Sequence, residues 1–165
     1  YSLVNLCSSV IVLNERFRAP YWDYGWEKVV KRLSTLDQKL PVVIDNARAE
    51  PYSQMLFFTK SDPARYQSEN FEVPLSEYYT NLNRNPVKNI GRITVRPISW
   101  EPDLIKEQYL VGDSIAISLE QIKLNKMTLV EEIKYPDGSP AYRIVLTNPE
   151  YQRYVRALYE KQRVK

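Results

Sequence analysis

The 165-residue chain contains no histidine. That removes the commonest general base, the commonest zinc ligand and every Ser-His or Cys-His nucleophile pair. Cys7 is the single cysteine, so no internal disulfide and no thiolate metal cluster is expected, and cysteine usage says nothing about compartment. Glycine is scarce, at four residues, and none lies in the turn after the first apolar strand. A glycine-rich phosphate loop is therefore missing, and dinucleotide binding is not expected. No apolar run approaches the length of a membrane span, which predicts a chain soluble as given. Charge of either sign is unconcentrated: 23 Lys and Arg against 20 Asp and Glu leave +3. No dense basic patch is present, so no nucleic-acid partner is expected.

What is present is the composition of one globular domain, 44% hydrophobic and 26% charged, and long enough to bury a core. Tyrosine is the outlier, with 13 residues against 4 Phe and 3 Trp. Tyr buries a ring while keeping its hydroxyl wet, so the excess points either to grooves and interfaces or to a polar-edged core.

The chain is organised around residues 40–60. Val42-Val43-Ile44 is a short β-branched run suited to a buried strand. It stops at Asp45-Asn46, and Pro51 stands where a first helical residue belongs, followed by Tyr52, Met55, Leu56 and Thr59 at helical spacing. The helix is apolar nearly all round from Met55 to Phe58, which predicts deep burial. Ligands of open α/β sheets sit at such strand–loop–helix junctions, so Asp45, Asn46, Arg48, Glu50 and Tyr52 are candidate ligand contacts. The competing reading makes them turn formers and a solvated ion pair. A third reading makes Asp45 and Glu50 a hydrolytic carboxylate pair.

Before this junction, Leu3, Leu6, Cys7, Val10 and Ile11 share a helical face in the least polar part of the chain. This is either a docking helix or a segment adjoining a membrane helix; without a basic start or a small-residue cleavage site it is no signal peptide. Trp26, Val29, Val30 and Leu33 then mark an amphipathic helix over 23–36, with Asp23 as N-cap. The cluster Tyr21, Trp22, Tyr24 and Trp26 is either aromatic packing or a sugar-stacking platform, and Tyr24 and Trp26 join the candidate ligand contacts.

After the junction, Asp62-Pro63 starts a short helix through Gln67. Residues 68–90 read as a weakly patterned link in which Leu75, Tyr78, Tyr79 and Leu82 make one or two helical turns. Ile93 and Val95 mark a half-buried strand ended by Pro97, Trp100 to Asp103 a turn into a short helix, Gln108 to Val111 a strand closed by Gly112-Asp113, and Ser118 to Gln121 one helical turn. Pro136-Asp137-Gly138-Ser139 is the turn of a hairpin whose second strand, with Tyr142, Ile144 and Leu146, presents one face inward. Asn148-Pro149-Glu150 opens a final helix with Tyr151, Tyr154, Val155 and Leu158 on one face and Arg153, Arg156, Lys161 and Arg163 elsewhere. It either docks on the sheet or offers a basic surface to anionic headgroups. Strand–helix alternation followed by a hairpin predicts an α/β fold: a mixed sheet of about five strands, helices on both faces, Rossmann-like without the phosphate loop. The divisions expected are a membrane-proximal stub or docking helix (1–20), the α/β domain (21–148) and the amphipathic helix (149–165).

Three phrases in order carry a resemblance: Tyr24-Gly25-Trp26; Glu50-Pro51-Tyr52 through Leu56-Phe57-Phe58-Thr59-Lys60 with Asp62-Pro63-Ala64-Arg65-Tyr66-Gln67; and Ile133-Lys134-Tyr135-Pro136-Asp137-Gly138-Ser139-Pro140-Ala141-Tyr142-Arg143-Ile144. The order resembles the C-terminal extracytoplasmic domain of bacterial multi-spanning membrane glycosyltransferases, related to protein O-mannosyltransferases (dolichyl-phosphate-mannose-protein mannosyltransferases) and lipid A aminoarabinose transferases. It covers about 21–145. The resemblance implies a periplasmic or outer-face accessory domain that shapes the acceptor side of an enzyme using a polyprenyl-phosphate-linked sugar. It also implies catalytic carboxylates in the membrane part and no cofactor in this fragment. The partners implied are the membrane part of the same polypeptide, the lipid-linked sugar and the acceptor. No residue here matches the family's catalytic motif, so no catalytic residue and no metal ligand is carried over. The start at Tyr1 fits a piece of a longer protein adjoining its last span. The family's first strand often ends in a glycine-containing turn, whereas this one reads Asp45-Asn46-Ala47-Arg48-Ala49-Glu50. A stand-alone carbohydrate- or peptide-binding module, walled by the Tyr21 to Trp26 aromatics and the 45–50 loop, is the alternative.

Overall fold

The computed structural model describes residues 2–22, 24–47, 50–70 and 87–163. Helix α1 (Ser2–Ser8) runs on through π-type turns (Ser9–Arg18) and a 3-10 turn (Ala19–Trp22) into α2 (Trp26–Thr35). Then come β1 (Val42–Ile44), α3 (Pro51–Phe58), α4 (Pro63–Asn70), β2 (Lys88–Ile90), β3 (Ile93–Val95) and α5 (Trp100–Leu104). The chain closes with β4 (Tyr109–Asp113), α6 (Leu119–Leu124), β5 (Thr128–Lys134), β6 (Pro140–Leu146) and α7 (Pro149–Arg163).

The fold is α/β, with a six-stranded mixed sheet in the order β2-β3-β1-β4-β6-β5. β1 is parallel to both its neighbours, Ile44 lying opposite Val95 of β3 and Val111 of β4. The remaining pairs are antiparallel. The sixth strand is β2, inside the stretch read as a link. It is only three residues long and polar, and it exists because Gly91, at φ 57°, closes a two-residue turn that lays Ile90 opposite Ile93.

Helices cover both faces. On one, Val42, Ile44, Val111 and Ile144 pack against Trp26, Val29 and Leu33 of α2 and Tyr52 and Met55 of α3. On the other, Val43, Leu110 and Val145 pack against Leu104 of α5, Ile122 of α6, Ile117 and Met127. β6 lies between β4 and β5, so it is buried on both faces, Arg143 and Val145 included, rather than on one.

The α2 face is as expected, but its N-cap position is Gly25 at φ 107°; Asp23 lies outside the described residues. A Cβ on Gly25 would stand 3.1 Å from Ile133 and 3.3 Å from Tyr142, so the glycine permits both the turn and the close approach to the sheet. At the far end of α2, Arg92 donates to the carbonyls of Leu33 (2.8 Å), Leu40 (2.6 Å) and Asp37 (3.0 Å), tying the helix to the entry of β1. Asp62 caps α4 through the Ala64 N–H, at 2.9 Å. Ser118 and Gln121 form a full capping box on α6. In the β5–β6 turn, Asp137 accepts from the N–H and hydroxyl of Ser139, which lowers its carboxyl pKa, and Gly138 takes φ 87°.

One expectation of burial is corrected. α3 buries Tyr52 and Met55 but leaves Phe57 74% exposed, because a helix lying on a sheet has only one face to bury whatever its composition. The apolar face of α7 is half-buried only at Tyr151 and Val155, while Tyr154 and Leu158 are exposed. Leu75, Tyr78, Tyr79 and Leu82 lie outside the described residues.

Candidate functional site

β1 is the topological switch point of the sheet. The chain leaves it through α3 and α4 to reach β3 on one side, and passes through α5 to reach β4 on the other. The residues following β1 therefore enter the crevice that open α/β sheets use for ligands. Asp45 is spent on holding that crevice together. Its N–H donates to the Val111 carbonyl at 2.8 Å, and its carboxylate accepts from the Ile98 N–H (3.1 Å) and the Ala47 N–H (3.2 Å). The loop after β1 is thus tied to the loop after β3.

Asn46 is 4% exposed, and its Oδ1 has no hydrogen-bond partner among the described residues. An orphaned buried acceptor costs about 1–3 kcal/mol, so this carboxamide is the least explained group of the predicted set. Glu50 occupies the N-cap position of α3 without capping it, and its carboxylate lies 3.6 Å from the Lys88 ammonium. That ammonium also lies 4.4 Å from the centre of the Tyr52 ring, itself 5.9 Å from Tyr66. Arg48 lies outside the described residues. Asp45 and Glu50 are thus engaged by different partners, backbone amides for one and a lysine for the other.

The aromatic cluster is divided. Trp26 is 1% exposed with its ring 4.6 Å from Tyr142, which leaves no free face for a sugar, and its indole N–H lacks a partner among the described residues. Tyr24 is half-buried, 6.2 Å from Tyr135, with the Lys28 ammonium 5.3 Å from its ring. The platform reading fails at Trp26 for a physical reason: an indole at the start of an amphipathic helix contributes most to stability inside the core.

Three cavities are formed by described residues. One of about 210 Å³ is bounded by Tyr52, Leu56, Tyr66, Asp62 and the β2–β3 turn, and another of about 280 Å³ adjoins it at Phe57 and Pro63. A groove of about 780 Å³ separates α6 from the start of α7. Of the candidate contacts, Tyr52 alone lines one of these three. Among the described residues no cluster of three His, Cys, Asp or Glu side chains could hold a metal ion.

A further polar cluster among the described residues is one that no sequence pattern announces. Arg96 donates twice to Asp103, at 2.8 and 2.6 Å, and Asp103 also accepts from the Ser99 N–H (2.8 Å) and Gln108 Nε2 (3.1 Å). Burial acts to raise the Asp103 pKa, but the Arg96, Ser99 and Gln108 bonds outweigh it and hold the carboxyl below its ordinary value. Its partner is raised above an already high value by the same bond. Every carboxylate oxygen has a donor, which marks a structural clasp between the end of β3 and the start of β4. On the next pair of strands, Arg143 donates to Glu132 at 2.8 Å and to the carbonyls of Ser114 and Ile117.

No protein-family model matches the chain, and neither a curated protein nor a solved structure matches it. The functional reading therefore rests on the residues themselves.

Proposed function

We propose that this chain is the extracytoplasmic accessory domain of a polyprenyl-phosphate-sugar-dependent membrane glycosyltransferase, shaping the acceptor side and relying on the membrane part for catalysis. The observation that supports this reading best is the helix over Ser2–Arg18. Leu3, Val4, Leu6, Val10, Ile11, Val12 and Leu13 are all between 40% and 76% exposed. Large apolar side chains at this density are unfavourable in water at roughly 25 cal/mol per Å², and they belong against another apolar phase. No described helix is long and apolar enough to cross a membrane. The segment suits the flank of a membrane-embedded part better than a second core.

Asp45, Asn46, Glu50 and Tyr52 remain proposed ligand contacts at the β1 switch point, with Asn46, whose buried Oδ1 has no partner among the described residues, as the first to test. The deciding experiment uses the native polypeptide, detected in its host with an antibody against this domain. A polypeptide much longer than these 165 residues, retained in membranes after carbonate washing and transferring sugar from a polyprenyl-phosphate donor, is the expected result. A carbonate-released polypeptide of about this length would overturn the proposal.

A further inference from the structure

We infer that the groove between α6 and α7, together with the outward half of α7, rests on the surface of an anionic phospholipid bilayer. The inference rests on the membrane reading above and adds which side of the domain faces the lipid. It starts from the apolar groups that the fold leaves uncovered. The groove is lined by Ile115, Leu124 and Tyr151, of which Ile115 is 68% and Leu124 73% exposed, with Lys123 and Lys126 at its rim. Among the described residues, the hydrogen bonds that anchor α7 beside it lie at its beginning. Asn148 accepts from the Tyr151 N–H at 3.0 Å and donates to the Lys126 carbonyl at 3.3 Å, and Gln152 donates to Asn125 of the α6 C-cap at 3.1 Å.

Beyond that anchor the helix leaves the domain. Val155 is half-buried, and Tyr154, Leu158 and Tyr159 are exposed. Tyr151, Val155 and Leu158 follow one another at i, i+4 and i+7, so the face that lines the groove continues along the free part of the helix. The opposite face carries Arg153 and Arg156, and Lys161 follows in the last turn; all three are exposed.

Charge selects the occupant. Along the groove and the described side chains of α7, Lys123, Lys126, Arg153, Arg156 and Lys161 stand against Glu120, Glu150 and Glu160, a surplus of two positive charges. A helix with aliphatic and tyrosine side chains on one face and arginines on the other is the chemistry of a segment lying in a lipid interface. Lysine and arginine stems cover apolar surface while their heads reach phosphate. α2, where Arg32 is paired with Glu131 at 2.9 Å, lies on the opposite face of the sheet from α6.

The test uses the full chain with Cys7→Ser and an environment-sensitive fluorophore on Leu124→Cys, or on Ser34→Cys of α2 as the control on the opposite side. Vesicles are phosphatidylcholine alone or with phosphatidylglycerol. On the anionic vesicles the label at 124 shifts to the blue and is quenched by lipid-borne quenchers, while the label at 34 is not. The Arg153→Glu, Arg156→Glu double variant, checked for unchanged circular dichroism, lowers partitioning to anionic vesicles by about tenfold or more and leaves the neutral ones unaffected. A bound protein whose 124 label stays in water overturns the inference, because the apolar N-terminal helix alone is then inserted. So does absence of binding, or a blue shift without vesicles that grows with protein concentration, which would mean a second copy. The membrane reading of the parent polypeptide is judged separately, by carbonate washing of the native protein.

Discussion

Asp103 and Arg96 carry the clearest consequence at the level of single residues. Asp103 is almost wholly buried and Arg96 is three-quarters buried, so removing one partner leaves the other charge without compensation. Asp103→Ala is expected to cost about 3–5 kcal/mol in urea unfolding, and Arg96→Met with Asp103→Leu to recover a large part of it. The pH dependence follows in sign from the lowered Asp103 pKa. A carboxyl more acidic in the folded than in the unfolded state stabilises above the ordinary carboxylate pKa. That contribution is lost as pH falls from the ordinary value through the folded one. Stability of the native chain should therefore drop below about pH 4, and Asp103→Asn should flatten this part of the profile; an unchanged acid limb would refute the assignment. Arg92, with its three carbonyls 52 to 59 residues away in sequence, is another clasp of this kind. Neither arginine differs in its local sequence from an ordinary surface charge, which is why sequence reasoning passed over both.

At the level of elements, two helices with similar apolar periodicity have opposite fates. α2 buries Trp26, Val29 and Leu33 against the sheet, while α7 exposes Tyr154, Leu158 and Tyr159. Leu33→Ala should cost about 2–5 kcal/mol, as for any buried leucine, whereas Leu158→Ala should change stability by no more than about 0.5 kcal/mol. Chemical denaturation of both variants checks this. A large loss at Leu158 would mean that α7 is docked. Periodicity identifies a helix and its apolar stripe but says nothing of what the stripe meets. The same reason explains Phe57, whose helix reads as buried throughout yet has only one side to give to the sheet. β2 was illegible for the opposite reason: three half-polar residues carry almost no pattern, and their pairing with β3 depends on the Gly91 turn.

For the whole molecule, the six-stranded sheet and the helices on its two faces form the stable unit, and residues 2–13 contribute large exposed apolar side chains and none of the core residues among those described. Removing residues 2–13 should leave the urea midpoint and slope of the remaining chain unchanged, while raising its solubility. A lowered midpoint would show that this segment packs on the domain. The sequence by itself determined the α/β class, the position of β1, the proline-started α3, the Pro136-Asp137-Gly138-Ser139 hairpin and the inward face of α2. These depend on backbone preferences and local periodicity, which act over a few residues. Only the tertiary structure decided that Trp26 is core rather than platform, that Asp45 braces two loops, that the buried Asn46 Oδ1 has no partner among the described residues, and that Arg96 and Asp103 meet. Each of these depends on which strand lies beside which, a matter of long-range packing that no short stretch of chain encodes.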